Sequence, residues 1–253
     1  MARWAAFLGL TAVVLCLFLA LARLSQAAVG DRGNRPDSDP PVRPAEVTGQ
    51  TTGVPEFSTA TLLANVALTQ GVFGGLVAAG AWYFRIPTPT LGIGTGPLTG
   101  GPAGVGLGLA VGVVLWVGNE AAAAVADAAG ATYDEALREQ LAPGSPGGWL
   151  ALLGIVLPLI AVVEEFLFRA AVVGAASAGL AVSPWILAVV SSVAFALGHG
   201  AQGRVGVVVT GALGFALAGV FVLSGSLLVV VVAHYVVNAV EFLVHEGVRY
   251  GLS

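Results

Sequence analysis

Leu150-Ala-Leu-Leu-Gly-Ile-Val-Leu-Pro-Leu-Ile-Ala-Val-Val163 carries no charge, and the next six residues read Glu164-Glu165-Phe166-Leu167-Phe168-Arg169. The apolar sequence then resumes, without charge, from Ala170 to Val182. Such a run is long enough to cross a bilayer. Two carboxylates and an arginine at membrane depth each cost a few kcal/mol on insertion scales, which marks them as functional. Two further polar insertions follow in later apolar stretches, Phe195-Ala-Leu-Gly-His199 and His234-Tyr-Val-Val-Asn238. The three together supply carboxylate, imidazole and amide groups within the membrane.

The rest of the chain agrees. Of its 253 residues, 57% are apolar and 9% are charged. Soluble domains carry about 25% charge, so the composition specifies an integral membrane protein. Seven apolar stretches are long enough to span, at 4–22, 58–84, 103–126, 148–179, 183–203, 205–223 and 226–244. The expected fold is therefore all-α, a polytopic bundle of about seven transmembrane helices. Residues 1–23 form an N-terminal helix, with a signal peptide as the alternative. Its apolar run exceeds the usual signal core, so a retained helix is expected. Residues 24–57 read as a flexible linker, rich in Asp, Arg, Pro and Thr. Residues 58–147 supply two membrane helices, a Pro/Gly-rich loop at 85–102 and a short amphipathic surface helix at 131–142. Residues 148–245 carry the polar motifs.

Glycine is abundant, at 36 residues. Gly104, Gly108 and Gly112 form a small-xxx-small series suited to close helix approach. The single Cys16 excludes a disulfide framework and a cysteine metal site. A net charge of −4, thinly scattered, gives no footprint for nucleic acid. All ten basic residues are arginine. With the amino terminus outside, Arg23, Arg32, Arg35, Arg43, Arg138, Arg204 and Arg249 face the cytoplasm, against Arg3 and Arg85 outside. The positive-inside rule favours that orientation in the cell membrane.

The fourth and fifth spans should form a hairpin turning near Gly179–Pro184. Glu164 lies as many positions before the midpoint of that turn as His199 lies after it. The two side chains therefore share a depth of roughly 25 Å from the turn, nearer the cytoplasmic face. His234 and Asn238, four apart, share one face of the last span. Glu164 and His199 can hold a water and take its proton. His234 and Asn238 can donate to a developing oxyanion. Glu165 and Arg169, also four apart, read as an internal ion pair with a mainly structural role, although Glu165 could assist Glu164. Phe195 reads as packing, Glu241 as a candidate at the cavity mouth, Glu120 as a polar helix contact or weak accessory, and His245 and Glu246 as solvated.

Glu-Glu-x-x-x-Arg, Phe-x-x-x-His and His-x-x-x-Asn on successive membrane helices resemble the CPBP family. That family includes the CAAX prenyl endopeptidases and the Abi group of bacterial bacteriocin-immunity and processing proteins. The resemblance covers about residues 148–245. It implies an intramembrane endopeptidase of glutamic type, with no cofactor and with a cavity open to the cytoplasm. By the family's pattern Glu164 and His199 activate water, and His234 and Asn238 stabilise the oxyanion. The implied partners are the lipid bilayer and a membrane-associated protein or peptide substrate.

Three alternatives stand beside this reading. Glu164, His199 and His234 could instead bind catalytic zinc, since three N/O ligands plus water suit that metal. Only hydroxyl groups such as Ser191 and Ser192 offer themselves in the sequence as supports for the imidazoles. A noncatalytic immunity or scaffold protein would predict degenerate motifs, whereas these are intact. A transporter would favour paired inverted repeats, and the sequence has none.

Overall fold

The fold is described from a computed structural model over residues 1–33, 58–131 and 136–247. These residues form helices and loops, with no strand among them. Six helices are long and apolar enough to cross a membrane, and a seventh apolar helix is shorter. The all-α bundle expected from the sequence is therefore what forms.

Helix α1 runs Trp4–Gly33, with its apolar part at Trp4–Leu24. It continues about ten residues beyond the expected end, because no proline interrupts the chain before Pro36. The remainder of the expected linker, 34–57, lies outside the described residues. Helix α2 is Thr59–Tyr83, capped by Ser58, whose side chain accepts from the Thr61 amide. The loop that follows contains a 3-10 turn at Thr88–Leu91 and one short helix at Pro97–Gly100. Helix α3 is Pro102–Ala128, and α4 is the surface helix Ala136–Leu141. The first part of that expected amphipathic helix, 132–135, lies outside the described residues.

Helix α5 is continuous from Pro146 to Leu180. Its hydrogen bonding changes to π at Leu152–Val156 and again at Phe166–Ala175. The first π segment sits just ahead of Pro158, which lacks the amide an α-helix needs there. The chain turns at Ala181, in a left-handed conformation, and restarts at Pro184. This is the hairpin the sequence predicts.

Helix α6, Pro184–Gly198, is only 15 residues long. It ends five residues before the apolar stretch does. Gly198, Gly200 and Gly203 cluster there, and Gly203 takes a positive φ of 75°. Helix α7 is Gly203–Ser224, and α8 is Leu227–Gly247 with a final π turn at Leu243–Gly247.

Cross-contacts define the two ends of the bundle. At one end the Arg3 amide donates to Phe84 O, the Leu227 amide donates to Gly92 O, and Gly179 lies against Trp4. At the other, Thr59 donates to Gln140 O, and Arg138 pairs with Glu241 and Glu246. The alternation of strokes matches the predicted seven.

Close approach positions the last helix. A Cβ on Gly108 would lie 2.8 Å from Val229 O, and one on Gly112 would lie 2.8 Å from Ala233 O. The small-xxx-small series thus presses α3 onto α8 beside His234. Phe168, Phe195, Leu217 and Val230 build the central core, all buried. Leu63, Trp149, Leu152 and Phe242 form a second cluster toward the α4 end.

Candidate active site

The carboxylates at 164 and 165 occupy adjacent positions at the end of an α-helical segment, so they point about 100° apart. Each meets a different helix. Glu164 turns toward α2, where the Gln70 side-chain amide donates to its Oε1 at 3.1 Å. Glu165 turns toward α8, where its Oε1 accepts from His234 Nδ1 at 2.7 Å. The same Oε1 lies 3.0 Å from Arg169 Nη1. Arg169 also donates to Gly214 O at 3.0 Å, and its guanidinium sits 4.7 Å from the Phe195 ring centroid. Gly214 is close enough to need its small size, since a Cβ there would lie 3.0 Å from Phe195.

Glu164, Glu165, Arg169 and His234 are all buried, and Glu165 and Arg169 are fully so. Two buried carboxylates balanced by one arginine and one imidazole need close pairing to be tolerated. Arg169, four residues on and within the π segment that begins at Phe166, supplies it at Glu165. Ser191 of α6 donates to Phe168 O within this segment at 2.8 Å. Such π insertions occur frequently at functional sites.

The sequence reading of Glu165 as mainly structural therefore gains a qualification. Its carboxylate is paired with Arg169 as expected, but it also holds an imidazole of the site. A carboxylate only accepts, so His234 Nδ1 carries a hydrogen and Nε2 points the other way. Nε2 lies 3.9 Å from Glu164 Oε2. That oxygen is buried and accepts no hydrogen bond.

His199 is the residue just past the end of α6, half-buried. Its Nδ1 is 2.8 Å from Phe195 O. A carbonyl only accepts, so here too Nδ1 holds the hydrogen and Nε2 is the lone-pair nitrogen of the neutral ring. The Phe195 ring lies between the imidazoles, 4.4 Å from the His199 ring and 6.0 Å from the His234 ring. Asn238 is half-buried, one turn beyond His234 on α8. The structure thus joins Glu164, Glu165, Arg169 and His234 through direct contacts and attaches His199 through Phe195. Ser191 and Ser192 serve backbone carbonyls, Phe168 O and Ala188 O, rather than the imidazoles.

Gln70 had no place among the candidates. A lone amide in α2, with no motif around it, gives little signal. The available clue was its spacing, since Leu63, Gln70 and Val77 form one buried stripe.

Glu164 and His234 are buried, while His199 and Asn238 are half-buried. Cavities of about 660 and 480 Å³ lie toward the Phe84 end, lined by Arg3, Tyr83 and Arg85 and by Ala78, Ile86 and Phe166 respectively. None of Glu164, His199, His234 and Asn238 lines either. The Phe168 and Phe195 rings, packed edge to face at 5.1 Å, fill the space beside Arg169 and the imidazoles.

A second polar cluster lies at the α4 end. His245 Nε2 is 3.0 Å from Glu120 Oε1 and 3.7 Å from Glu241 Oε1. Arg138 reaches Glu241 at 2.6 Å and Glu246 at 3.1 Å. The expectation of solvation fails for Glu246, whereas His245 is half-buried and paired. Glu246 is 2% exposed, because α4 folds its arginine over the end of α8. Glu120, Glu241 and His245 bring ligating atoms within 4.8 Å of one another, the spacing a metal ion would need. Arg138 already supplies a cation to Glu241, so the cluster reads as a closed ion-pair network.

Comparison with known proteins adds one finding. No curated protein and no solved structure matches the chain. Residues 146–240, which carry all three polar motifs, match the family model described as Rce1-like, type II CAAX prenyl endopeptidase, and this supports an endopeptidase embedded in the membrane.

Proposed function

We propose that the chain is an intramembrane endopeptidase of glutamic type, in which Glu164 is the general base. One observation carries this reading. A buried carboxylate has one oxygen engaged by Gln70, while the other accepts no hydrogen bond and faces an imidazole 3.9 Å away. Glu164 Oε2 takes a proton from water as the water oxygen bonds to the scissile carbonyl carbon. His199 Nε2 accepts the water's second hydrogen and orients it. The carbonyl oxygen becomes negative and receives hydrogen bonds from the Asn238 amide and His234 Nε2. His234 Nε2 donates when the ring holds two protons, and the Glu165 carboxylate at Nδ1 supports that cation. The C–N bond then breaks, and Glu164 returns its proton to the leaving amine. The substrate class is a membrane-associated peptide or protein, and the matched family's description makes a prenylated C-terminal segment the first to test.

New protein N-termini in membranes of cells making wild-type chain, compared with Glu164→Gln, identify the substrates. A peptide spanning such a site should lose turnover with Glu164→Gln by about 10² to 10⁴-fold, the usual worth of a general base. Melting in detergent should stay near wild type. Wild-type turnover by Glu164→Gln refutes the assignment.

A second reading keeps zinc on Glu164, His199 and His234. One observation favours it: both imidazoles direct Nδ1–H to an oxygen acceptor, as metal-bound histidines commonly do. Exhaustive chelation of the purified chain separates the two. Full turnover afterwards supports the glutamic mechanism. Loss restored by stoichiometric zinc supports the metal.

We further infer that the α4 end faces the cytoplasm, on the arginine distribution. In a chain lacking Cys16, a single cysteine replacing Thr95 should react with an impermeant reagent on intact cells, and one replacing Ser145 should not. The opposite pattern inverts the orientation.

A further inference from the structure

Helix α2 lies outside the matched region, yet it reaches the centre of the site. Leu63, Gln70 and Val77 are all buried on one side of it. Leucine or valine at 70 would serve such a stripe. A buried amide is tolerated there only with a hydrogen-bond partner, and the partner of this one is the Glu164 carboxylate. One turn on, Gly74 brings α2 against α5. A Cβ at that position would lie 2.5 Å from a methyl of Val163, the residue preceding Glu164.

We propose that Gln70 is a positioning residue for hydrolysis. Its amide commits Glu164 Oε1 and fixes the rotation of the carboxyl group, so that Oε2 is the oxygen presented to water. This rests on the reading of Glu164 as the base. The two oxygens of a carboxylate are chemically equal, and in water the group rotates freely between them. At a buried site only one faces the reacting water. Without the donor the carboxylate samples other rotations, drawn by the Arg169 charge further along α5. The base then remains in place but is misaimed, and misplacement of about 1 Å costs about a hundredfold in rate.

The test compares wild-type chain, Gln70→Met, Glu164→Gln and Leu68→Ala, each purified at full length. Substrates are peptides spanning the cut sites mapped in membranes. Methionine fills the amide's volume and removes the donor. Leu68 is an exposed residue of the same helix, and its replacement controls for general disturbance of α2. Gln70→Met should lower kcat by about tenfold to a hundredfold, with KM within about twofold of wild type. Leu68→Ala should leave both unchanged. A merely structural amide would lower the melting temperature and leave the kcat of the folded fraction intact, and that outcome overturns the proposal. A rise in KM with kcat unchanged overturns it too, by placing Gln70 in substrate binding. If Glu164→Gln is inactive while Gln70→Met turns over normally, this inference alone fails. If Glu164→Gln turns over normally, the reading of the base fails and this inference with it.

Discussion

The chain contains two clusters built from the same residue types, and they are wired differently. At the α4 end, Arg138 spans Glu241 and Glu246, and His245 bridges Glu120 and Glu241. At membrane depth, Arg169 and His234 both converge on Glu165 Oε1, and Glu164 accepts its hydrogen bond from the neutral Gln70 amide, with His234 no nearer than 3.9 Å. The first arrangement fastens elements together. The second brings its arginine and imidazole to one carboxylate and leaves the other with an amide donor. What sets the inner cluster apart is therefore a buried carboxylate held by an amide alone, rather than the presence of charge.

Burial sharpens the contrast. Glu165 and Arg169 side chains are 0% exposed, whereas His245 and Glu120 are 31% and 34% exposed. Removing one partner of the buried pair strands the other in a medium that cannot solvate it. Glu165→Ala and Arg169→Met should each cost about 3–5 kcal/mol, read as a large drop in melting temperature in detergent. Glu165→Ala should also lower turnover in whatever folded protein remains, because His234 loses the acceptor that orients it. Equal turnover per folded molecule in both variants would reduce Glu165 to a structural role.

The outer cluster should respond more weakly. Arg138 is 12% exposed and faces two carboxylates, one of them nearly buried. Arg138→Met should cost about 1–3 kcal/mol, the penalty for leaving such groups unpaired. His245→Gln should cost under about 1 kcal/mol, and added salt should shrink the effect. Turnover should survive both. A loss of activity with His245→Gln, rescued by added divalent metal, would convert this cluster from a fastener into a functional site.

Much of this could be read from the sequence where the physics is local. Span number follows from hydropathy. The α5–α6 turn follows from Pro184, and a close helix contact along α3 follows from Gly104, Gly108 and Gly112, although its partner α8 does not. The match over 146–240 agrees with the resemblance drawn from three spaced motifs. What escaped depends on pairing across long separations. Glu246 looks solvated at the end of an apolar helix, because its partner Arg138 lies 108 residues earlier. Gln70 is one amide in an unremarkable helix, 94 residues from Glu164. Glu165 holds the imidazole of His234, 69 residues further on, and its own helix gives no sign of that partner. The early end of α6 was legible in principle, from three glycines within six residues at 198–203.

That short helix has a consequence for supply. Hydrolysis consumes water, and a hydrocarbon core about 30 Å thick is nearly anhydrous. Fifteen residues span only about 22 Å. Helix α6 therefore falls about 8 Å short of the core's thickness, the kind of mismatch that bilayer thinning or snorkelling of flanking residues relieves. The short end carries His199, half-buried. For the hydrolysis proposed above, that end offers water its shortest route in, beside the residue that would orient it.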